Sequence, residues 1–390
     1  MSGLKVAVVS DWFPPKLGGV ETFVYSFSSE LASRKGIEVE VITENYPKTF
    51  TFSDRFEVIN GLRVRRLAGI IVPRWKVYFH PETPLKLKEL FKKENYDVVH
   101  THHLLTPLSI LATGVAKFMH PRRRCVITTN HTYHGWAERR FFGFFGRFTV
   151  RSTQPDRVIV ATEISRKFVE RMGVNPEIIR KIPLGVDTKK FSPDKRSEEL
   201  RKELGIGSNV FLLYAGRLAE RKGVAYLLQA FREALQIMKE MKLVILGDGP
   251  LKNQLMELSR KLDLKDSVKF VGYRPPEEVS RYFASCDFTV APSICAESFG
   301  LVMVEAMASG KPIIATNVSG FNEVFVEGTG FLVPPRDTNS LKERILQLAT
   351  DRELITRMGR KAREEAVRRY SLERVVDSTL EVYNEVLSAV

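Results

Sequence analysis

FTVAPSICAESFGLVMVEAMASGKPIIAT, residues 288–316, is the stretch that sorts this chain. FTVAPS (288–293) is short and almost wholly apolar, as a buried strand is, and Ile294–Ser298 reads as the loop that follows it. Phe299–Ser309 reads as a helix stopped by Gly310, and Lys311–Thr316 as the next strand. The same alternation continues upstream through NVFLLYAG (209–216), KLVILGD (242–248) and SVKFVGY (267–273). A separate earlier series comprises VAVVSD (6–11), VEVIT (39–43), DVVHTH (97–102), CVITTNH (125–131) and RVIVAT (157–162). Near-continuous apolar strands alternating with helices predict parallel sheets covered on both faces. Two series predict an α/β chain of two Rossmann-like, doubly wound domains.

Between the series lies IPLGVDTKKFSPDKRSEE (182–199), rich in Pro, Gly and charge, the natural linker. The expected division is a first domain over 1–188, a second over 189–370, and an apolar-striped helix over 371–390. Doubly wound sheets take ligands at the carboxyl ends of their strands, so two domains facing each other would hold one in the cleft between them.

Within 288–316 the backbone N–H groups of Phe299, Gly300 and Leu301 are expected unpaired at a helix N-terminus, which attracts anions. Gly300 offers no side chain to keep a phosphate from the backbone. Two carboxylates flank this point, Glu297 before the helix and Glu305 within it, separated by roughly 10 Å along the axis. That span suits a hexose, a diphosphate and a ribose, and ionised carboxylates accept paired sugar hydroxyls. Glu305 sits among Val302, Met303, Val304, Ala306 and Met307, where an idle carboxylate would be costly.

The 390 residues suffice for two cores, and 44% hydrophobic with 27% charged residues is an ordinary globular balance. No apolar run reaches the roughly 20 residues of a membrane span. The N-terminal apolar run lacks a small-residue cleavage site and reads as a first strand. Three dispersed cysteines, Cys125, Cys286 and Cys295, form no disulfide framework, and a reducing, cytoplasmic setting is expected. The net charge of +14 is spread over short clusters such as Arg63–Arg66, Arg122–Arg124 and Arg139–Arg151. No helix-turn-helix or RNA-recognition motif accompanies it, which disfavours a nucleic-acid partner.

Glu297, seven residues and then Glu305 on a strand, loop and helix resemble the signature of retaining GT-B glycosyltransferases of family 4. The similarity extends to SDWFPPKLGGVE (10–21), IPLGVDTKKFSP (182–193), AGRLAERKG (215–223) and LGDGPL (246–251). It implies that Glu297 meets the donor sugar and Glu305 the ribose, while Arg217 and Lys222 hold the diphosphate. A leaving diphosphate gains charge as the glycosidic bond breaks, so fixed cations beside it are required on physical grounds as well. Asp-x-Asp, the common metal-holding pattern, is absent from the sequence, and no metal or other cofactor is expected. Gly272 and Arg274, at the end of SVKFVGY, are assigned to the donor site with Gly19 of the first loop. The resemblance also implies that the 371–390 helix crosses back to the first domain.

On the acceptor side, Gly18 and Gly19 let backbone approach a phosphate or sugar. His131 is assigned to orienting the donor sugar or acceptor, and His102 to lining the acceptor site. His100, His102, His103 and His134 lack the spacing of zinc ligands. VSDWFPPKLGGVETFVYSFSSEL (9–31) and TTNHTYHG (128–135) are most similar to phosphatidylinositol N-acetylglucosaminyltransferases and phosphatidylinositol mannosyltransferases. That implies a UDP-sugar donor with GDP-mannose second, and a lipid or glycan acceptor of phosphoinositol type. RRFFGFFGRFTVR (139–151) allows two readings: a peripheral contact with an anionic membrane, or core phenylalanines with solvated arginines. Ser319-Gly320 stands where the family has Gly-Gly, and Leu184 where it has Asn. A sugar-nucleotide epimerase on the same fold is the alternative enzyme reading.

Overall fold

The computed structural model describes residues 3–16, 18–45, 54–72, 77–119, 125–131 and 147–389. It forms two compact units, Met1–Leu184 with Leu372–Val390, and Gly185–Ser371. The first unit therefore includes the last helix, Leu372–Leu387.

The first unit is built on β1 (Leu4–Ser10), β2 (Ile37–Glu44), β3 (Arg55–Ile59), β4 (Leu62–Leu67), β7 (Val98–His102), β8 (Cys125–Asn130), β9 (Arg157–Val160) and β10 (Ile179–Lys181). They form one sheet in the order β10-β9-β8-β7-β1-β2-β4-β3. A small ribbon pairs β5 (Ile70–Val72) with β6 (Val77–Phe79). Val6 to Val9 of β1 are fully buried, as expected of a strand covered on both faces. Each pairing of the large sheet is parallel except β3 with β4.

That exception departs from the all-parallel expectation. Asn60 and Gly61 both take positive φ, 48° and 84°, and turn the chain back as a two-residue hairpin. The Arg63–Arg66 cluster thus lies on a strand. Arg65 pairs with Glu40 at 2.7 Å, while buried Arg66 donates to the Pro14 carbonyl at 2.6 Å and to Glu57 at 2.5 Å. Much of this positive charge is structural.

In the second unit, β11 (Val210–Ala215), β12 (Met241–Leu246), β13 (Val268–Gly272), β14 (Phe288–Ala291), β15 (Ile313–Thr316) and β16 (Gly330–Val333) form a parallel sheet ordered β13-β12-β11-β14-β15-β16. Leu212, Leu243, Val290 and Ile314 from its centre pack with Leu227, Phe231 and Ile345 of the covering helices. The order reverses direction between β11 and β14, and in the first unit between β1 and β7. Those two points, at the carboxyl ends of the strands, are where such sheets bind ligands.

Candidate active site

At the second unit's switch point three loops are locked backbone to backbone. The loop after β11 meets the loop after β14 through an Ile294 N–H donated to the Arg221 carbonyl at 2.9 Å. Gly223 (φ 66°) makes room for this: a Cβ there would stand 1.9 Å from the Pro292 carbonyl oxygen. The loop after β15 joins when Glu297 N–H donates to the Ser319 carbonyl at 2.8 Å and Thr316 Oγ1 donates to the Ser293 carbonyl at 2.5 Å.

These ties hold Glu297, buried, at the middle. Its Oε1 accepts from Lys222 Nζ at 2.8 Å, Arg221 Nη1 at 3.0 Å and Ser293 Oγ at 2.7 Å. No residue among those described bonds Oε2, which leaves one carboxylate oxygen for a ligand. Burial pushes the Glu297 carboxyl up, but Lys222 and Arg221 outweigh it and hold the group below the usual carboxylate range. Burial likewise lowers Lys222, against the pull of Glu297. The pair is ionised, with one face committed and one open.

Glu305 lies one element further on. The helix is Leu301–Ala308, shorter than the expected 299–309, because Gly300 caps it in a left-handed conformation (φ 102°). Phe321 lies against Gly300, 2.6 Å from where a Cβ would stand, so the glycine is required by packing as well as by backbone. Phe299 is buried, edge-on to Tyr370 at 6.0 Å between ring centres. The half-buried Glu305 carboxylate has no hydrogen bond or ion pair among the described residues, and its neighbours Met303, Val304, Ala306 and Met307 are buried. Burial pushes it up to about 7, against a weaker pull from Lys190.

The remaining donor-site assignments are distributed differently. Arg217 is exposed and makes no ion pair among the described residues; its carbonyl accepts the Tyr214 hydroxyl at 3.0 Å. The guanidinium actually on Glu297 belongs to Arg221, next to Lys222 in the same short turn, Glu220–Lys222. Arg221 and Ser293 were not singled out from sequence; that turn, which points two adjacent cations at one carboxylate, was the missing signal. Gly272 (φ 72°) ends β13 and accepts the Gly247 N–H at 2.9 Å, and Arg274 pairs at 3.5 Å with Glu278 of the helix that follows, Pro276–Ser285. Neither touches the Glu297 cluster.

In the first unit, the switch point gathers aromatic and histidine side chains. His102 Nδ1 and His131 Nε2 are 2.9 Å apart, with rings stacked at 5.2 Å. His100 bonds Tyr383 of the last helix at 2.6 Å and Thr129 at 2.7 Å. Burial lowers all four of His100, His102, His103 and His131, with His100 and His131 down to about 3, so the cluster is uncharged at neutral pH. Asp11 accepts the Leu108 N–H at 3.0 Å and the Ser109 N–H at 3.3 Å, capping the helix Pro107–Met119. Gly19 begins the helix Gly19–Ala32, but the space above Gly18 is filled by the Glu21 carboxylate, 2.3 Å from where a Cβ would stand. Any anion approaching these glycines meets that carboxylate. His134 and residues 139–146 of the Arg/Phe stretch lie outside the described residues; of the remainder, Phe148 is exposed and Val150 buried.

Among the described residues no cluster of three His, Cys, Asp or Glu is arranged to hold a metal, and no helix is long and apolar enough to cross a membrane. Residues 17–190 match the family described as Glycosyltransferase Family 4, and residues 196–365 that described as Glycosyl transferases group 1. The chain is 29% identical to N-acetyl-alpha-D-glucosaminyl L-malate synthase of Bacillus anthracis, over 96% of this chain and 95% of the relative. It is 29% identical to D-inositol 3-phosphate glycosyltransferase of Corynebacterium diphtheriae, over 90% and 86%. The Anabaena protein HepE, solved in complex with UDP-glucose, superposes with a TM-score of 0.75 at 22% identity, covering 99% of this chain and 100% of that one. Two parallel-sheet units of this order define the GT-B fold. The chain belongs to the group 1 and family 4 glycosyltransferases.

Proposed function

We propose that the protein transfers a hexose or N-acetylhexosamine from a nucleotide sugar, with UDP as the favoured carrier and GDP-mannose second, to a hydroxyl of a phosphoinositol-type acceptor. One observation carries this reading: Glu297 holds one oxygen clamped by two cations and a hydroxyl, and the other unbonded, at a topological switch point. Glu297 receives sugar hydroxyls on its open oxygen, Glu305 the ribose, and Lys222 with Arg217 the diphosphate. The UDP-glucose bound to HepE supports the donor, and the inositol phosphate in the name of the Corynebacterium relative supports the acceptor.

Transfer with retention proceeds by front-side attack in this proposal. The acceptor oxygen bonds to the anomeric carbon as the carbon–phosphate oxygen bond breaks, and the hydroxyl proton passes to that departing phosphate oxygen. His131 orients the transferred sugar or the acceptor. Cations fixed beside the diphosphate take the place of a metal, so activity survives chelation by EDTA. The protein acts in the cytoplasm, peripherally on an anionic membrane face where its acceptor is a lipid.

Thermal shift against UDP-, GDP- and ADP-sugars tests the donor, since a ligand that binds only the folded chain raises its Tm. A shift with none of them, or loss of transfer in EDTA, defeats the proposal. An isolated covalent glycosyl-enzyme defeats front-side attack alone.

A further inference from the structure

The histidine cluster of the first unit contains an incomplete hydrogen-bond account. His102 Nδ1 and His131 Nε2 share one bond of 2.9 Å, yet His102 Nε2 and His131 Nδ1 are both buried without partners. Both rings are neutral, because burial holds them well below the ordinary imidazole range. One proton therefore lies between the rings, and each ring carries its proton on one nitrogen only.

Two arrangements satisfy the shared bond, and they differ in where the orphaned N–H falls. With His131 as donor, the unmatched N–H sits on His102 Nε2. His102 is wholly enclosed, stacked between His100 at 4.6 Å and His131 at 5.2 Å, with Phe23 and Phe27 edge-on. An N–H there has no route to a partner. With His102 as donor, the unmatched N–H is on His131 Nδ1, likewise buried, but on the residue just after β8 that keeps 5% exposure where His102 keeps none. A buried donor without an acceptor is the costlier orphan, and only the second arrangement puts it on a residue that is not wholly enclosed.

We propose that His102 is a positioning residue: its Nδ1–H donates to His131 Nε2, fixing the His131 ring plane and making His131 an Nδ1–H donor toward the reacting sugar or acceptor. The last clause rests on the role proposed for His131 above; the tautomer assignment does not. The stacking explains why two histidines serve where one would chemically suffice. His100, held at both nitrogens by Tyr383 and Thr129, stacks against His102 and limits its tilt.

The test uses the full chain labelled with 15N in its histidines. A long-range 1H–15N spectrum separates the two neutral tautomers, and the His131 signals are identified by their loss in His131→Gln. The expected parent form is Nδ1-protonated. His102→Phe keeps a flat ring beside Phe23 and Phe27 but removes the bond. His131 should then lose its single tautomer and kcat should fall about tenfold, the scale of one neutral hydrogen bond. The donor KM should move by about twofold at most, as for a group acting on turnover rather than on binding. His102→Asn, whose amide N–H can stand in for Nδ1–H, should restore the tautomer and most of kcat.

An Nε2-protonated His131 in the parent overturns the proposal. So does a His102→Phe variant with tautomer and kcat unchanged. The parent spectrum decides the matter even where a variant fails to fold. Full activity in His131→Ala would instead remove the proposed role of His131, while the tautomer assignment stands or falls on the spectrum.

Discussion

The carbonyl oxygen of Glu297 lies 2.0 Å from where a Cβ on Gly320 would stand, and Gly320 itself holds φ at 91°. The backbone of Glu297 thus rests on a glycine from the next loop. Ser319, immediately before it, is exposed and contributes only its carbonyl. This explains why the Gly-Gly pattern can lose its first glycine and keep its second.

Gly320→Ala should therefore lower stability by at least about 1–3 kcal/mol from the backbone alone, and abolish donor-induced thermal shift. Ser319→Gly should leave both within error. Urea melts of the two variants check the asymmetry, and equal behaviour would contradict it.

Lys222 and Arg221 share Glu297 unequally, since the Lys222 side chain is 18% exposed and that of Arg221 51%. Lys222→Ala should reduce kcat by about 10²–10³, the loss typical of one fixed electrostatic contact. Arg221→Ala should cost much less, because solvent already screens it. In a double-mutant cycle, Lys222→Ala with Glu297→Gln should lose far less than the two singles summed. Steady-state kinetics on the four proteins decide this.

Glu305 predicts a pH effect on donor binding. With its carboxyl up to about 7 in the free protein, it is protonated in mildly acidic solution and then accepts poorly from ribose hydroxyls. Donor kcat/KM should fall as pH drops through about 7, and Glu305→Gln should be lower and flat there. The sign for stability is opposite. A carboxyl raised on folding binds its proton more tightly in the folded chain, so stability falls as pH rises from the unfolded value through about 7. At pH 8, Glu305→Gln should unfold at higher urea than the parent.

The buried histidines set an acid limit. His100, His102, His103 and His131 are all lowered by burial, so the unfolded chain binds their protons first as pH falls. Their contribution is intact above the ordinary histidine range and is lost below it, toward about 3. As many as four protons should be taken up on unfolding in that window, each adding about 1.4 kcal/mol per pH unit. Urea midpoints at several pH values between neutrality and pH 5 measure the slope, and His100→Gln should reduce it.

The sequence displayed its strands well where they are buried on both faces. β1, β11 and β12 are rich in Val, Leu and other apolar residues, β7 and β14 are shorter buried strands, and the expected segments overlap all five to within about two residues. The β3–β4 hairpin is hidden in the sequence because its exposed edge alternates charge with apolar residues, so its arginines read as a surface patch. Asn60-Gly61 was a usable signal. In the site, Glu297 and Glu305 were legible from their spacing and apolar setting, and Lys222 from the family resemblance. Arg221 was not, because a choice between two arginines four residues apart depends on the direction of a single turn.

The last helix belongs to the unit that begins the chain, where Tyr383 bonds His100 and Glu385 pairs with Arg157 at 2.7 Å. The second unit is thus a contiguous insertion that is complete once Ser371 has been made. During synthesis it can close its core while the earlier-made half still lacks a helix, leaving the face that receives Val376 and Tyr383 uncovered. The N-terminal half is translated first and finished last, so its apolar face stays uncovered until the last helix docks.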